Sequence, residues 1–110
     1  SGADGVYNNA GTVNLAGVSI DAASDDNIAG INNTGSGNTT ISGDKASIKA
    51  TTTGSGAKAY AVSNTGSGDV TINTGDAGVE LTAKAASGDA AAVNNTGTGT
   101  IDIITSGQIS

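Results

Sequence analysis

The sequence predicts an all-β fold: a parallel β-helix, or β-solenoid, of about three and a half coils, with three short strands in each coil of about 31 residues. Three observations lead there. A motif recurs along the chain, a strand with period-2 alternation follows each copy, and the residue alphabet is too narrow for an ordinary globular core. The 110 residues include 18 Gly and no Cys, His, Met, Trp, Phe or Pro. Arginine is also absent, Glu80 is the sole glutamate, Leu15 and Leu81 are the sole leucines, and Tyr7 and Tyr60 are the two aromatics. Most large apolar residues are Val and Ile, which favour strands.

The repeat is set by four turns. They are Asn8-Asn9-Ala10-Gly11, Asn32-Asn33-Thr34-Gly35-Ser36-Gly37, Ser63-Asn64-Thr65-Gly66-Ser67-Gly68 and Asn94-Asn95-Thr96-Gly97-Thr98-Gly99. The last three begin 31 residues apart, and the first lies 24 residues before the second. Tyr7, Ile31, Val62 and Val93 precede the turns. Alternating segments follow them: Val13-Asn14-Leu15, Thr39-Thr40-Ile41, Val70-Thr71-Ile72 and Ile101-Asp102-Ile103. A third segment reads Val18-Ser19-Ile20, Ile48-Lys49-Ala50 and Val79-Glu80-Leu81, and its fourth copy is expected to begin at Gln108-Ile109-Ser110. Gly43-Asp44 with Gly75-Asp76, and Ser55-Gly56 with Ser87-Gly88, mark two further corners. The whole of 1–110 reads as one solenoid segment, with repeats at approximately 5–28, 29–59, 60–90 and 91–110.

Stacked coils would be spaced by about 4.8 Å, the distance between hydrogen-bonded strands. Equivalent residues then form columns: Tyr7/Ile31/Val62/Val93, Leu15/Ile41/Ile72/Ile103 and Ile20/Ala50/Leu81. In the first strand Val6, Ala61 and Ala92 alternate with the column residues, so its inward face is open at this point. Asn9, Asn33, Asn64 and Asn95 are expected to form a corner ladder of stacked amides. The Asn- and Gly-rich corners are expected to supply left-handed backbone. Low hydrophobicity with a net charge of −6 points to disorder, but the absent Pro and the ordered repeat oppose it. An antiparallel sandwich usually needs a few large core residues. The Ala runs at 83–86 and 90–92, bounded by Gly and Ser, suit a narrow interior better than helices.

The repeats of apolar-Asn-Asn-Thr-Gly-Thr-Gly followed by an alternating strand, clearest in Asn94-Asn95-Thr96-Gly97-Thr98-Gly99-Thr100-Ile101-Asp102-Ile103, resemble the passenger regions of bacterial autotransporter and large adhesin proteins. The resemblance covers roughly residues 5–110 and is one of style, since such motifs are degenerate. It implies a right-handed parallel β-helix on the outer surface of a Gram-negative cell, meeting host or cell-surface glycans or proteins. The membrane-anchoring C-terminal barrel of that family has no counterpart here.

Composition also narrows the chemistry. Without His or Cys there is no Ser-His-Asp or Cys-His nucleophile and no ordinary zinc site, so the chain is expected not to be an enzyme. Glu80, between the inward Val79 and Leu81, is expected to face solvent rather than pair as a glycosidase acid. Four lysines against ten acids give no basic patch for nucleic acid. No run of 18 apolar residues suits a membrane span, and Ser1-Gly2-Ala3-Asp4 has no signal-peptide pattern. No cofactor is expected, and Asp21, Asp25 and Asp26 are a weak calcium candidate whose plainer reading is a polar turn. Thr40/Thr71 and Thr51/Thr82 are expected to stack, which raises an ice-binding alternative, although Asp102, Lys49 and Glu80 interrupt the neighbouring ranks. Tyr60 reads equally as a sugar-stacking ring or as packing. The main expectation is a structural and adhesive surface protein. The alternative is a filament in which copies stack end to end or laterally, suggested by repeats without a recognisable cap.

Overall fold

A computed structural model describes residues 5–43, 45–105 and 107; the expected strand start at 108–110, the residues at 1–4 and Asp44 of the second corner lie outside them. Eleven strands are described, and no helix long and apolar enough to cross a membrane occurs among these residues. They are β1 (Val6–Asn8), β2 (Thr12–Ala16), β3 (Ser19–Ser24), β4 (Ile28–Asn33), β5 (Asn38–Ser42), β6 (Ala46–Thr52), β7 (Ala59–Asn64), β8 (Val70–Gly75), β9 (Val79–Ala85), β10 (Ala90–Asn95) and β11 (Ile101–Thr105).

Every third strand pairs in parallel. The first sheet has the order β1-β4-β7-β10, the second β2-β5-β8-β11 and the third β3-β6-β9. This is a parallel β-solenoid. The extents are 37 × 28 × 19 Å, and a stack of coils at about 4.8 Å accounts for the shortest of them. Four of the eight described strand pairs advance by 31 residues, as from Ile31 to Val62 and Val62 to Val93, while the third sheet advances by 28 and then 33. The shorter first coil loses its residues at the corners, while its strands keep their pairing.

The register corrects four sequence expectations. Val6, not Tyr7, is paired with Ile31, and Asn8, not Asn9, with Asn33. The first turn is shorter, so matching its two asparagines to the later pair slips the column by one residue and turns each side chain to the opposite face. Tyr7 is accordingly 62% exposed and Asn9 lies on the surface. In the third sheet Ile48, not Ala50, stands between Ile20 and Leu81, while Ala50 joins Ala22 and Ala83. That strand begins at Ala46, whose small side chain gives no strong apolar signal, so the sequence frame moved two residues along it. Thr51 and Thr82 do not stack: Thr51 pairs with Lys84 and Thr82 with Lys49. Thr40 and Thr71 do share a rank, which Asn14 and Asp102 continue.

The interior is a set of aliphatic columns, with Ile31, Ile41, Ile48, Ile72, Val62, Val70 and Val79 fully buried. Leu15, Ile41, Ile72 and Ile103 share one column of the second sheet. In the first sheet the inward question resolves into both answers, because Ala61 and Val62 are both at 0% exposure. The pairing skips Gly30 and Ala61, and a Cβ added at Gly30 would strike the Ile48 side chain. In β4 and β7 two consecutive residues, Gly30-Ile31 and Ala61-Val62, therefore lie inside.

The corner after the first sheet is closed by asparagine. Asn64 is fully buried, its Nδ2 donates to the Gly68 carbonyl at 2.9 Å, and its Oδ1 accepts from Asn33 Nδ2 at 3.1 Å. Asn95 repeats the first bond, to the Gly99 carbonyl at 3.1 Å. Asn8 donates to the Asn38 carbonyl at 3.0 Å and to Thr39 Oγ1 at 3.2 Å. The expectation of left-handed asparagines is not met: among the described residues no non-glycine residue has positive φ. Glycine supplies it at Gly11, Gly17, Gly43, Gly56 and Gly75. The Thr-Gly-Ser-Gly glycines serve another purpose. A Cβ at Gly66 would collide with the Gly35 carbonyl, and one at Gly97 with the Gly66 carbonyl, so this corner stacks backbone on backbone.

Two stability outcomes are expected in chemical denaturation. Asn64→Ala strands the Asn33 amide and the Gly68 carbonyl and should cost about 2–3 kcal/mol, against less for the exposed Asn95→Ala. Gly66→Ala should cost about 1–3 kcal/mol by overpacking, whereas the neighbouring exposed Ser67→Ala should stay within about 0.5 kcal/mol.

Candidate functional site

The paired inward residues of the first sheet shape its outer face. In a regular strand, outward residues recur every second position, about 6.6 Å apart. With two consecutive residues turned inward, the positions on the outer side of the sheet become Ala29 and Asn32, Tyr60 and Ser63, and Ala91 and Asn94, of which Ala29 and Ser63 are themselves buried. Three residue steps then separate them, up to about 10 Å along an extended strand. The gap opens a furrow of about 290 Å³ whose walls and floor include Ala29, Asn32, Thr34, Tyr60, Ser63, Thr65 and Asn94.

Tyr60 stands in a rank between Ala29 and Ala91, so neither neighbour in its rank can hide much of its ring. It is half-buried, and the furrow runs beside it. The opposite wall is the rank Asn32, Ser63 and Asn94, in which Asn94 Nδ2 donates to Ser63 Oγ at 3.4 Å. Tyr7 ends that rank beyond Asn32, and its hydroxyl oxygen accepts from Thr34 Oγ1 at 3.3 Å. Both aromatic residues of the chain thus lie on the outer face of one sheet. No Asp, Glu or Lys lines the furrow. The arrangement can stack an apolar face on Tyr60 and hydrogen-bond hydroxyls with amides and Ser or Thr.

The acidic residues are placed elsewhere. Asp21 lies on β3 as the rank neighbour of Lys49. Asp25 and Asp26 sit in the corner after β3, beside a cleft of about 380 Å³ shared with Asn27, Ser55 and Gly56. There the Asp26 N–H donates to Ser24 Oγ at 3.0 Å and the Asp26 carbonyl accepts from Thr52 Oγ1 at 2.7 Å. Among the described residues no three acidic side chains converge, so the structure does not bring Asp21, Asp25 and Asp26 together as the six or more oxygens calcium takes. Glu80 is exposed on β9, with its Oε2 4.0 Å from Lys45 Nζ.

Sequence reasoning singled out Tyr60 but missed Asn32, Ser63 and Asn94 as its companions, and it placed Tyr7 inside. The available signal was the break in alternation at Gly30-Ile31, Ala61-Val62 and Ala92-Val93. The fold defines a class, the parallel β-solenoid repeat proteins. Comparison with known proteins finds no matching family model and no significantly similar curated protein or solved structure.

Millimolar calcium is expected to leave the thermal midpoint of the chain unchanged. A binding site filled to about 100 times its dissociation constant would instead stabilise by about 2.7 kcal/mol, a clear upward shift in a melting curve.

Proposed function

We propose that the chain is a structural and adhesive segment of an extracellular protein of the bacterial cell surface, holding out a repetitive face for glycans or proteins and carrying out no catalysis. The observation that supports this reading is the segregation of side chains. Large aliphatic residues fill the inward columns, and among large apolar side chains of the described residues only Tyr7, Val93 and Ile104 are exposed. The outer ranks present Asn, Thr, Ser and the tyrosines. Such a core carries its own stability, so outward residues can vary without unfolding the scaffold. The resemblance of the repeats to adhesin passenger regions supports the location.

Self-assembly into a filament is the second reading. It draws on the sameness of the coil interfaces: Ile31 on Val62 on Val93, and Ile41 on Ile72 on Ile103, use one register at each step. A surface that fits the next coil also fits the equivalent coil of a second copy, and a head-to-tail contact of that kind propagates.

Adhesion is tested with beads coated with the folded chain, flowed over epithelial cell layers beside beads carrying a scrambled sequence. Retention about tenfold above the control is expected, because many weak contacts on one bead add up to avidity. Equal retention contradicts the adhesive reading. Sedimentation velocity across a wide concentration range addresses the second: a monomer throughout would remove the filament, whereas growing polymers would support it.

A further inference from the structure

We infer that the furrow beside Tyr60 is a binding site for a neutral saccharide, a mono- or disaccharide unit of a glycan. The inference rests on the adhesive reading and gives it a ligand class and a place.

Four features of the furrow point to this chemistry. The first is volume: about 290 Å³ lies at the lower edge of the size of small-molecule sites, which begin at about 300 Å³. That suits a sugar ring or two and is small for a folded protein's epitope. The second is the aromatic wall. Sugars present C–H faces that pack on a flat ring, and a half-buried tyrosine between alanines offers such a ring with its hydroxyl at the edge. The third is the polar lining: Asn32, Thr34, Thr65 and Asn94 carry amide and hydroxyl groups, both donors and acceptors, as a polyol requires, with the buried Ser63 Oγ holding the Asn94 amide in place.

The fourth feature is charge. The chain carries ten acids and four lysines, yet none of them lines this furrow. A phosphate, a sulfated sugar or a sialic acid would meet no cation there, and an organic cation would meet no carboxylate. Neutrality therefore selects within the saccharides. Two other surfaces carry less: the corner cleft at Asp25 and Asp26 is an acidic cluster alone, and the outer face of the third sheet mixes the charges of Lys49, Glu80 and Lys84.

The geometry also assigns unequal roles to the two tyrosines. Tyr60 forms the wall of the furrow, while Tyr7 touches its margin through Thr34. Tyr60 is therefore the stacking residue, and Tyr7 adds at most an edge contact.

The test is titration of the isotope-labelled 110-residue chain by two-dimensional NMR with neutral disaccharides terminating in glucose, galactose or N-acetylglucosamine, and with sialyllactose as the charged comparison. Saturable shifts at Asn32, Tyr60, Ser63 and Thr65 are expected with at least one neutral sugar. Tyr60→Ala should weaken that binding about tenfold or more, the scale of a lost aromatic anchor, while Tyr60→Phe and Tyr7→Ala retain most of it. The spectrum of each variant reports its own fold, and Tyr60→Phe keeps the ring if Tyr60→Ala misfolds. Absence of saturable shifts with every neutral sugar, stronger binding of the sialylated one, or binding untouched in folded Tyr60→Ala would overturn the inference. If no neutral sugar binds at Tyr60 and beads coated with Tyr60→Ala adhere as well as the parent, the saccharide site fails and the adhesive reading stands on another surface. If sugars bind at Tyr60 and beads do not adhere, the site stands and the adhesive reading fails.

Discussion

Parallel stacking of one coil on the next is the constraint on which the rest of this structure depends. Strands hydrogen-bonded in register lie about 4.8 Å apart, so every backbone position faces its own equivalent one coil away. Along the strands this favours columns of Val and Ile, whose branched side chains pack on a pleated surface. At the corners it is more severe, because there the chain turns without a side chain's width between layers. Gly66 and Gly97 sit where a Cβ would collide with the carbonyl of the coil beneath. Those corners hold their shape through the Asn64 and Asn95 amides, which bond the carbonyls of Gly68 and Gly99 four residues ahead. A buried amide is costly when unpaired, so the Asn33–Asn64 contact binds adjacent coils and penalises a slipped register.

This arrangement explains how few large residues suffice. The interior is narrow, and Ala46, Ala50, Ala59 and Ala61 are fully buried where two walls approach closely. Buried Thr39 and the asparagines extend the core with a polar seam, Thr39 accepting from Asn8 and donating to Asn33 at 3.5 Å. Coil-to-coil bonds continue outside: the Asp69 N–H donates to Asn38 Oδ1 and the Thr100 N–H to Asp69 Oδ1, each at 2.9 Å. The paired inward residues at Gly30-Ile31 and Ala61-Val62 break the alternation of the first sheet, and the furrow lies on its outer face.

Much of the architecture was legible in the sequence. The 31-residue spacing of the Asn-Thr-Gly corners and the alternating segments after them are direct consequences of stacking, so the parallel solenoid and the Leu15/Ile41/Ile72/Ile103 column can be read from residues alone. Legibility failed where coil length changed. Tyr7 and Asn9 were misplaced because the first corner is shorter, and a period-2 pattern converts a one-residue slip into an inside-out strand. Ala50 was misplaced because Ala46 and Ala50 look alike to any pattern. The furrow was only half legible: Tyr60 stands out as a rare aromatic, but Asn32, Ser63 and Asn94 look like corner residues until the double inward turn at Ala61-Val62 separates their rank from its own.

The account is tested most directly at the amides of the corner, by hydrogen exchange of the asparagine side chains followed by NMR. If Asn33 and Asn64 hold the coils in register, their side-chain protons exchange only through global unfolding, at least about a thousandfold slower than those of exposed Asn9. Comparable exchange at Asn9 and Asn64 would contradict it, placing Asn9 in the ladder or the ladder outside the core.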